Sequence, residues 1–171
     1  MNPVFRPMRE DEFEPWFKWA VEEYARDEAR SHAIQLKSAR EQTRDELHRL
    51  LPDGLATEGH GLLIAQDAST GERVGYLWFA PRETEAGAVL WLYDIYVDEP
   101  ARGRGFGKAL MRHLEEEAHA LGLCRIELNV DGNNEWAQRM YSSLGYREMA
   151  RQMFKTLDPP EETVPQTSSD D

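Results

Sequence analysis

The sequence has a single cysteine, Cys124, and no apolar run approaching the ~20 residues that a membrane-spanning helix needs. One cysteine excludes an internal disulfide and is typical of proteins from reducing compartments. The first residues, Met1–Arg6, lack the apolar core of a signal peptide. Together these absences predict a cytoplasmic protein that does not enter a membrane.

Metal-binding patterns are missing as well. None of the five histidines stands at metal-ligand spacing from another histidine, a cysteine or a carboxylate, so no metal site is predicted. His60 precedes a predicted strand and could line an acceptor site, although a surface loop is the simpler interpretation. Cys124 opens a predicted strand and is expected to be a core thiol rather than a nucleophile.

Basic residues are too few for a nucleic-acid-binding protein. Lys and Arg total 20 against 32 Asp and Glu, which gives a net charge of −12, whereas nucleic-acid binding requires a basic surface. The acidity would suit a cationic amine substrate, and solubility is the alternative explanation. Residues 158–171 contain five acidic and no basic residues. We predict that they form an acidic disordered tail after a single domain of residues 1–157.

The centre of the chain is a buried strand, a glycine-rich turn and a helix. The run Val89–Val97 is apolar except for Asp94, and Arg102–Gly107 follows directly before an amphipathic pattern. Glycines allow positive φ, and the first amides of a helix point unpaired at a ligand. The helix end favours phosphate, and Arg102, Arg104 and Lys108 add full positive charges. This arrangement predicts a pyrophosphate site.

The spacing of the glycines excludes the two most familiar nucleotide loops. A dinucleotide fingerprint that starts at Gly103 or Gly105 would need Gly or Ala where Lys108 or Leu110 stands. A Walker loop would need Ser or Thr in place of Ala109. Neither pattern is present.

Two motifs together resemble the GCN5-related N-acetyltransferase (GNAT) superfamily. Arg102, Gly105 and Gly107 form the Arg-x-x-Gly-x-Gly pattern of its acetyl-CoA pyrophosphate loop. The segment Asn134–Tyr146 matches Asn-x-x-Ala-x-x-x-Tyr-x-x-x-Gly-Tyr at every fixed position. The resemblance covers roughly Val4–Lys155, and the chain is most similar to the small stand-alone bacterial members of the superfamily.

Hydrophobic periodicity and turn residues predict an α/β (α+β) fold. The expected order is β-α-α-β-β-β-α-β-α-β, with a mixed central sheet and helices on both faces, as in the GNAT fold. The predicted strands are residues 3–8, 61–67, 73–80, 88–97, 124–130 and 146–157, with a polar turn at 81–87, and the predicted helices are 11–28, 31–51, 106–121 and 135–144.

The resemblance implies a role for each matching residue. The main chain of Ile95, Tyr96 and Val97 would pair with the pantetheine arm of acetyl-CoA, as an added strand does. Asn134 would bond the pantetheine or its surroundings, and Tyr141 would reach the thioester sulfur. The pyrophosphate would be held by Arg102, Gly103, Arg104, Gly105, Phe106, Gly107 and Lys108.

Acetyl transfer to an amine needs a base and an acid. Only a neutral amine attacks, and a lysine-like amine has a pKa near ~10.4, so a proton must be removed. Asp94 is the candidate base, with Glu127 and a water chain as alternatives; Asp94 could also be a buried carboxylate that has merely found a partner. Tyr141 is the candidate acid for the departing thiolate, and its alternative role is packing. A backbone amide at the end of the central strand would donate to the carbonyl oxygen.

We therefore predict an acetyl-CoA-dependent N-acetyltransferase that acts without a metal, by direct attack of a primary amine in a ternary complex. The acceptor would be a small-molecule or peptide amine, and Trp16 or Trp19 in the first helix could face it. The oligomeric state is open, with a homodimer among the arrangements. The alternatives are a non-catalytic acyl-CoA-binding regulatory module, and transfer of another acyl group or to an oxygen acceptor.

Overall fold

The computed structural model describes residues 3–32, 34–85, 87–153 and 155, so the predicted tail at 158–171 lies outside the described residues. Two short 3-10 turns lie at Gly54–Ala56 and Glu99–Ala101. The helices and strands, in chain order, are β1 (Pro3–Pro7), α1 (Glu10–His32), α2 (Leu36–Leu50), β2 (Gly61–Asp67), β3 (Arg73–Thr84), β4 (Gly87–Val97), α3 (Phe106–Ala120), β5 (Ile126–Leu128) and α4 (Glu135–Ser143).

The strands form one mixed sheet in the order β1-β2-β3-β4-β5. The strands β1 to β4 pair with one another in antiparallel fashion, and β5 pairs with β4 in parallel. A parallel pair needs a crossover connection, and here α3 provides it between β4 and β5. The predicted fold class is confirmed, and β1 lies at one edge of the sheet.

Both faces of the sheet are covered by helices, as predicted. Successive side chains of β3 point to opposite faces. Tyr76 and Trp78 belong to a buried cluster with α1 and α2, and Leu77 and Phe79 belong to a second cluster with α3 and α4. A strand buried on both faces reads as one continuous apolar run, which explains the composition of β3 around these residues.

The hairpin between β3 and β4 is longer than expected. Residues 81–87 were predicted as a turn, but pairing continues from Pro81↔Leu90 to Thr84↔Gly87. β2 pairs with β3 only as far as Phe79, so the hairpin end projects beyond its neighbour. Its residues are exposed and polar for that reason, and polarity made them resemble a turn.

Two predictions about the last part of the chain are wrong. The strand expected at 146–157 is absent from its described residues, 146–153 and 155, which are irregular. Cys124 was expected in the core and is exposed. Parallel pairing with β4 involves only Leu90, Trp91 and Leu92, so β5 is three residues long and Cys124 lies before it.

Candidate active site

A bulge in β4 shapes the centre of the site. Trp78 pairs with Asp94 and Phe79 pairs with Leu92, so Tyr93 is an extra residue on β4. A bulge re-aims side chains and bends the strand. Tyr93 stacks on Trp78 with ring centroids 4.6 Å apart, and Asp94 bonds to tyrosines of the same cluster. Two consecutive side chains of β4 therefore face α1.

Beyond the bulge, β4 and β5 separate. Parallel pairing ends at Leu92, and within the described residues the following stretch of β4 has no strand partner on the β5 side. A cavity of about 500 Å³ opens there, and Ile95, Tyr96 and Val97 line it. An unpaired strand edge inside a cavity can accept an extended ligand as an added strand. The predicted pantetheine position fits this edge.

The glycine-rich turn forms the other end of the cleft. Gly103 and Gly105 have φ of 73° and 87°, a region that side chains disfavour. The first amide of α3 with a backbone partner is Ala109, which donates to Gly105 O at 3.2 Å. Within the described residues, the amides of Gly105 to Lys108 have no acceptor, as expected for an anion-binding helix end.

The basic side chains of this loop point to different places. Arg102 donates from Nε to Val97 O at 3.1 Å and lines a second cavity of about 370 Å³ together with Lys108. Arg104 instead donates to Asp67 Oδ2 at 3.0 Å. Phe106 is 1% exposed and belongs to the core, so its main chain is the part available to a ligand. The structure thus brings Arg102 and Lys108 to the predicted pyrophosphate site, and directs the Arg104 guanidinium elsewhere.

Gly107 lets α3 and α4 approach closely. A Cβ at this position would lie 2.9 Å from Met140 Sδ and 3.3 Å from Trp136 Cη2. Gly107, Trp136, Met140, Val97 and Arg102 line both cavities. The two cavities are therefore adjacent parts of one cleft, which leads from the glycine-rich turn to Asp94.

Asp94 is held by two tyrosines. The hydroxyls of Tyr24, on α1, and Tyr76, on β3, both donate to Asp94 Oδ2. Burial raises the pKa of Asp94, and these hydrogen bonds partly oppose the effect. Tyr24 and Asp94 line the larger cavity. The partner that a buried carboxylate requires is thus present, and Asp94 is also accessible from the cleft.

Tyr141 faces the same cavity from α4. It is 7% exposed, and its hydroxyl has no hydrogen-bond partner within the described residues. Burial and the nearby Asp94 charge raise the pKa of Tyr141 to about 12, so the hydroxyl is protonated at neutral pH and can donate. Asn134 begins α4 by accepting from the Ala137 amide at 3.1 Å. Its side-chain nitrogen, which also has no partner in the described chain, is the group left for a ligand.

The remaining candidates lie elsewhere. Glu127 pairs with Arg125 at 2.7 Å and does not line the cleft. His60 accepts from Trp78 Nε1 at 3.0 Å and is half-buried, which lowers its pKa; it does not line the cleft either.

Across the described ranges, no three His, Cys, Asp or Glu side chains are grouped to hold a metal. No helix in the described part is long and apolar enough to cross a bilayer.

Sequence reasoning missed Tyr24 and Tyr76 as site residues. Both stand in the apolar patterns of a predicted helix and a predicted strand, which mark no functional role. The available signal was Asp94 itself, because a carboxylate inside a buried strand requires donors. Only the fold shows which hydroxyls meet it.

Known proteins resemble the chain in sequence and in structure. A family model described as the acetyltransferase (GNAT) family matches residues 8–146. YycN of Bacillus subtilis (strain 168), an uncharacterized N-acetyltransferase, is 26% identical over 92% of this chain and 100% of its own length. The crystal structure of YycN aligns with a TM-score of 0.84 over the same shares of both chains.

Two further relatives extend this comparison. YdgE of the same bacterium, also an uncharacterized N-acetyltransferase, is 30% identical over 88% of this chain and 95% of its own length. A mycothiol acetyltransferase of Gordonia bronchialis is 36% identical, but over 53% of this chain and 29% of its own length. The similarity to the last protein is therefore confined to part of each chain.

Proposed function

The chain belongs to the acetyltransferase (GNAT) family and is an acetyltransferase, and from this we propose that it transfers the acetyl group of acetyl-CoA to a primary amine by direct attack in a ternary complex. Acetyl-CoA, which the family uses, supplies the acetyl thioester. Within the cleft, the unpaired edge of β4 would hold the pantetheine arm, and the amides before and within the first turn of α3 would hold the pyrophosphate.

Two protein side chains carry out the proton transfers of the proposed reaction. The amine nitrogen attacks the thioester carbonyl carbon, so a C–N bond forms and the C–S bond breaks. Asp94 takes the proton that the nitrogen loses, and the Tyr141 hydroxyl gives a proton to the departing thiolate. Exchange with solvent then returns both side chains to their starting states. The transition state needs a base and an acid on either side of the reacting carbon.

The observation that carries this proposal is the placement of Asp94 and Tyr141 on the walls of one cavity, at the unpaired edge of β4. A raised pKa makes Asp94 a better proton acceptor at neutral pH than an ordinary carboxylate. The Tyr141 side chain lies on the cavity wall and its hydroxyl has no hydrogen-bond partner among the described residues, so the hydroxyl is available to a ligand. The name of the mycothiol acetyltransferase relative also points to a small-molecule acceptor.

The test is the substitution Tyr141→Phe, measured by thiol release from acetyl-CoA against polyamines, aminoglycosides, amino acids and peptide N-termini. We expect kcat to fall about 10²-fold or more, because the leaving thiolate loses its proton donor. The KM for acetyl-CoA should change little.

Tyr146→Phe is the matched control. Tyr146 packs 5.7 Å from Tyr141, and its buried hydroxyl also has no partner in the described chain, but it does not line the cleft. We expect this variant to retain wild-type turnover. Equal losses in both variants would mean that Tyr141 only packs. Tight binding of acetyl-CoA without turnover of any amine would favour a regulatory module, and turnover with another acyl-CoA alone would favour a different acyl donor.

A further inference from the structure

The wall that α1 contributes to the larger cavity carries an ordered set of side chains. Trp19, Glu23 and Asp27 are spaced by four residues, so they follow one another along one face of the helix. All three line the same cavity as Asp94. One helical turn separates Glu23 from Asp27, a distance of ~6 Å along the axis. The cavity therefore combines an aromatic surface and two carboxylates from α1 with Asp94.

These carboxylates are not neutralised by strong ion pairs. Glu23 contacts Arg26 and Asp27 lies 3.4 Å from Arg30, each on the same helix. Both arginines are more than half exposed, and neither lines the cavity. Exposed pairs of this kind contribute only ~0.3–0.5 kcal/mol, so a bound cation can replace them at small cost.

A third carboxylate, Asp131 in the loop before α4, acts on the charge of Asp27 without lining the cavity itself. Burial raises the pKa of Asp27, and the charges of Asp131 and Glu23 act in the same direction, against Arg30. Asp27 in turn contributes to the raised pKa of Asp94. The negative charges of both walls therefore act on the same volume of the cleft.

The unpartnered hydroxyl of Tyr141 independently marks this volume as a ligand site. The side chain is 7% exposed and lines the cavity opposite α1, without a hydrogen-bond partner among the described residues. A side chain buried to this extent, with a hydroxyl that no described residue contacts, presents a polar group to whatever occupies the cavity. This observation does not depend on the acidic side chains.

We propose that the acceptor is a flexible aliphatic diamine, with one amine at Asp94 and the second, as an ammonium group, at Asp27 and Glu23. This proposal rests on the proposed amine acetyltransferase function. Because Asp94, Glu23 and Asp27 line one cavity, a single flexible chain with an amine at each end can contact Asp94 and this pair of carboxylates at once. Trp19, which packs edge-on against Tyr96 at 4.9 Å, provides an apolar surface for the methylene chain.

The test compares putrescine, a diamine, with n-butylamine, a monoamine of equal chain length. We expect kcat/KM for putrescine to exceed that for n-butylamine about tenfold at low salt, and the ratio to shrink as added salt screens the charges. Asp27→Asn should lower kcat/KM for putrescine about fivefold, the effect of one ion contact worth ~1 kcal/mol. Because Asp27 also acts on Asp94, the diagnostic quantity is the ratio of kcat/KM for putrescine to that for n-butylamine, which should fall by a similar factor.

Asp45→Asn, an exposed carboxylate on α2 away from the cleft, is the matched control and should change neither substrate. Calorimetry of both amines on protein saturated with CoA adds a readout that needs no turnover. Equal kcat/KM for the two amines, or no effect of Asp27→Asn on their ratio, overturns the diamine proposal and leaves the proposed function standing. Selective putrescine binding without acetylation supports the diamine site and overturns the proposed function. Neither binding nor turnover overturns both.

Discussion

A single methyl group added at Gly75, on β3, should weaken cofactor binding in a protein that still folds. Gly75 pairs with Val97 across the β3–β4 ladder. A Cβ at residue 75 would lie 2.1 Å from Tyr96 O and 3.2 Å from Val97 Cα. Both contacts are backbone atoms, which cannot move by a simple rotamer change. The substitution Gly75→Ala must therefore displace β4 at the residues expected to pair with pantetheine.

The size of the effect follows from this geometry. Real Cβ atoms essentially never lie within 3.0 Å of a heavy atom, so the strands must part by about 1 Å. Overpacking of this kind costs ~1–3 kcal/mol, and the lower entropy of the unfolded alanine variant returns ~0.4–1 kcal/mol. The net loss, about 1.3 kcal/mol, lowers Tm by ~3–5 °C in a chain of this size.

The assay measures Tm by differential scanning fluorimetry and CoA affinity by calorimetry at 25 °C, where the variant remains folded. We expect Gly75→Ala to raise the Kd for CoA about tenfold or more. Two controls distinguish a loss of stability from a local displacement of β4. Leu47→Ala empties a buried position between α1 and α2, which should lower Tm at least as much and leave CoA affinity unchanged. Gly132→Ala meets nothing within 4 Å and should change neither quantity.

An unchanged CoA affinity in folded Gly75→Ala would refute the assignment of the pantetheine arm to the edge of β4 at Tyr96 and Val97. An unchanged Tm would refute the packing argument itself. A loss of affinity in Leu47→Ala as large as in Gly75→Ala would show that affinity merely follows stability.

Two further substitutions test the two ends of the cleft. Arg102→Ala should raise the KM for acetyl-CoA severalfold with little change in kcat, measured by thiol release, because it removes a cation from the phosphate end; an unchanged KM would contradict that role. Asp94→Asn should lower kcat/KM by ~10²–10⁴ yet raise Tm at neutral pH. Because the folded state raises the pKa of Asp94, stability falls as pH rises from the unfolded-state pKa through the folded one. The Tm advantage of the Asp94→Asn variant over wild type should therefore vanish in acid, and a gain that is independent of pH would contradict this explanation.

Local sequence signals predicted most of the fold and the glycine-rich turn before α3. Strand and helix periodicity located the elements from β1 to α4. Gly122 and Gly145 follow α3 and α4 with φ of 71° and 89°, as helix stops do. The free amides around Gly105 follow from its place at the start of a helix. All of these features depend on residues near one another in sequence.

Features that depend on distant pairing were not predictable. The place where β4 and β5 part is set by the bulge at Tyr93, which has no sequence signature of its own. The end of β5 at Leu128 lies at that separation, whereas the exposed Cys124 lies at the opposite end of β5, before its pairing with Leu90 begins. Tyr24 lies 70 positions from Asp94 along the chain, and only the docking of α1 on the sheet brings their side chains together.

The contrast between two carboxylates shows why the cleft is best explained by function. Asp67, 7% exposed, accepts from the amide and hydroxyl of Ser69 and pairs with Arg104, and these contacts lower its pKa. That is the solution expected where a buried carboxylate serves stability alone. Asp94 has no cation in its hydrogen-bonded shell, and burial raises its pKa. Asp94 lies in the same cavity as two further features, the unpartnered Tyr141 hydroxyl and the unpaired edge of β4. In the proposed function, the acyl donor would use the strand edge and the Tyr141 hydroxyl, and the acceptor would use Asp94.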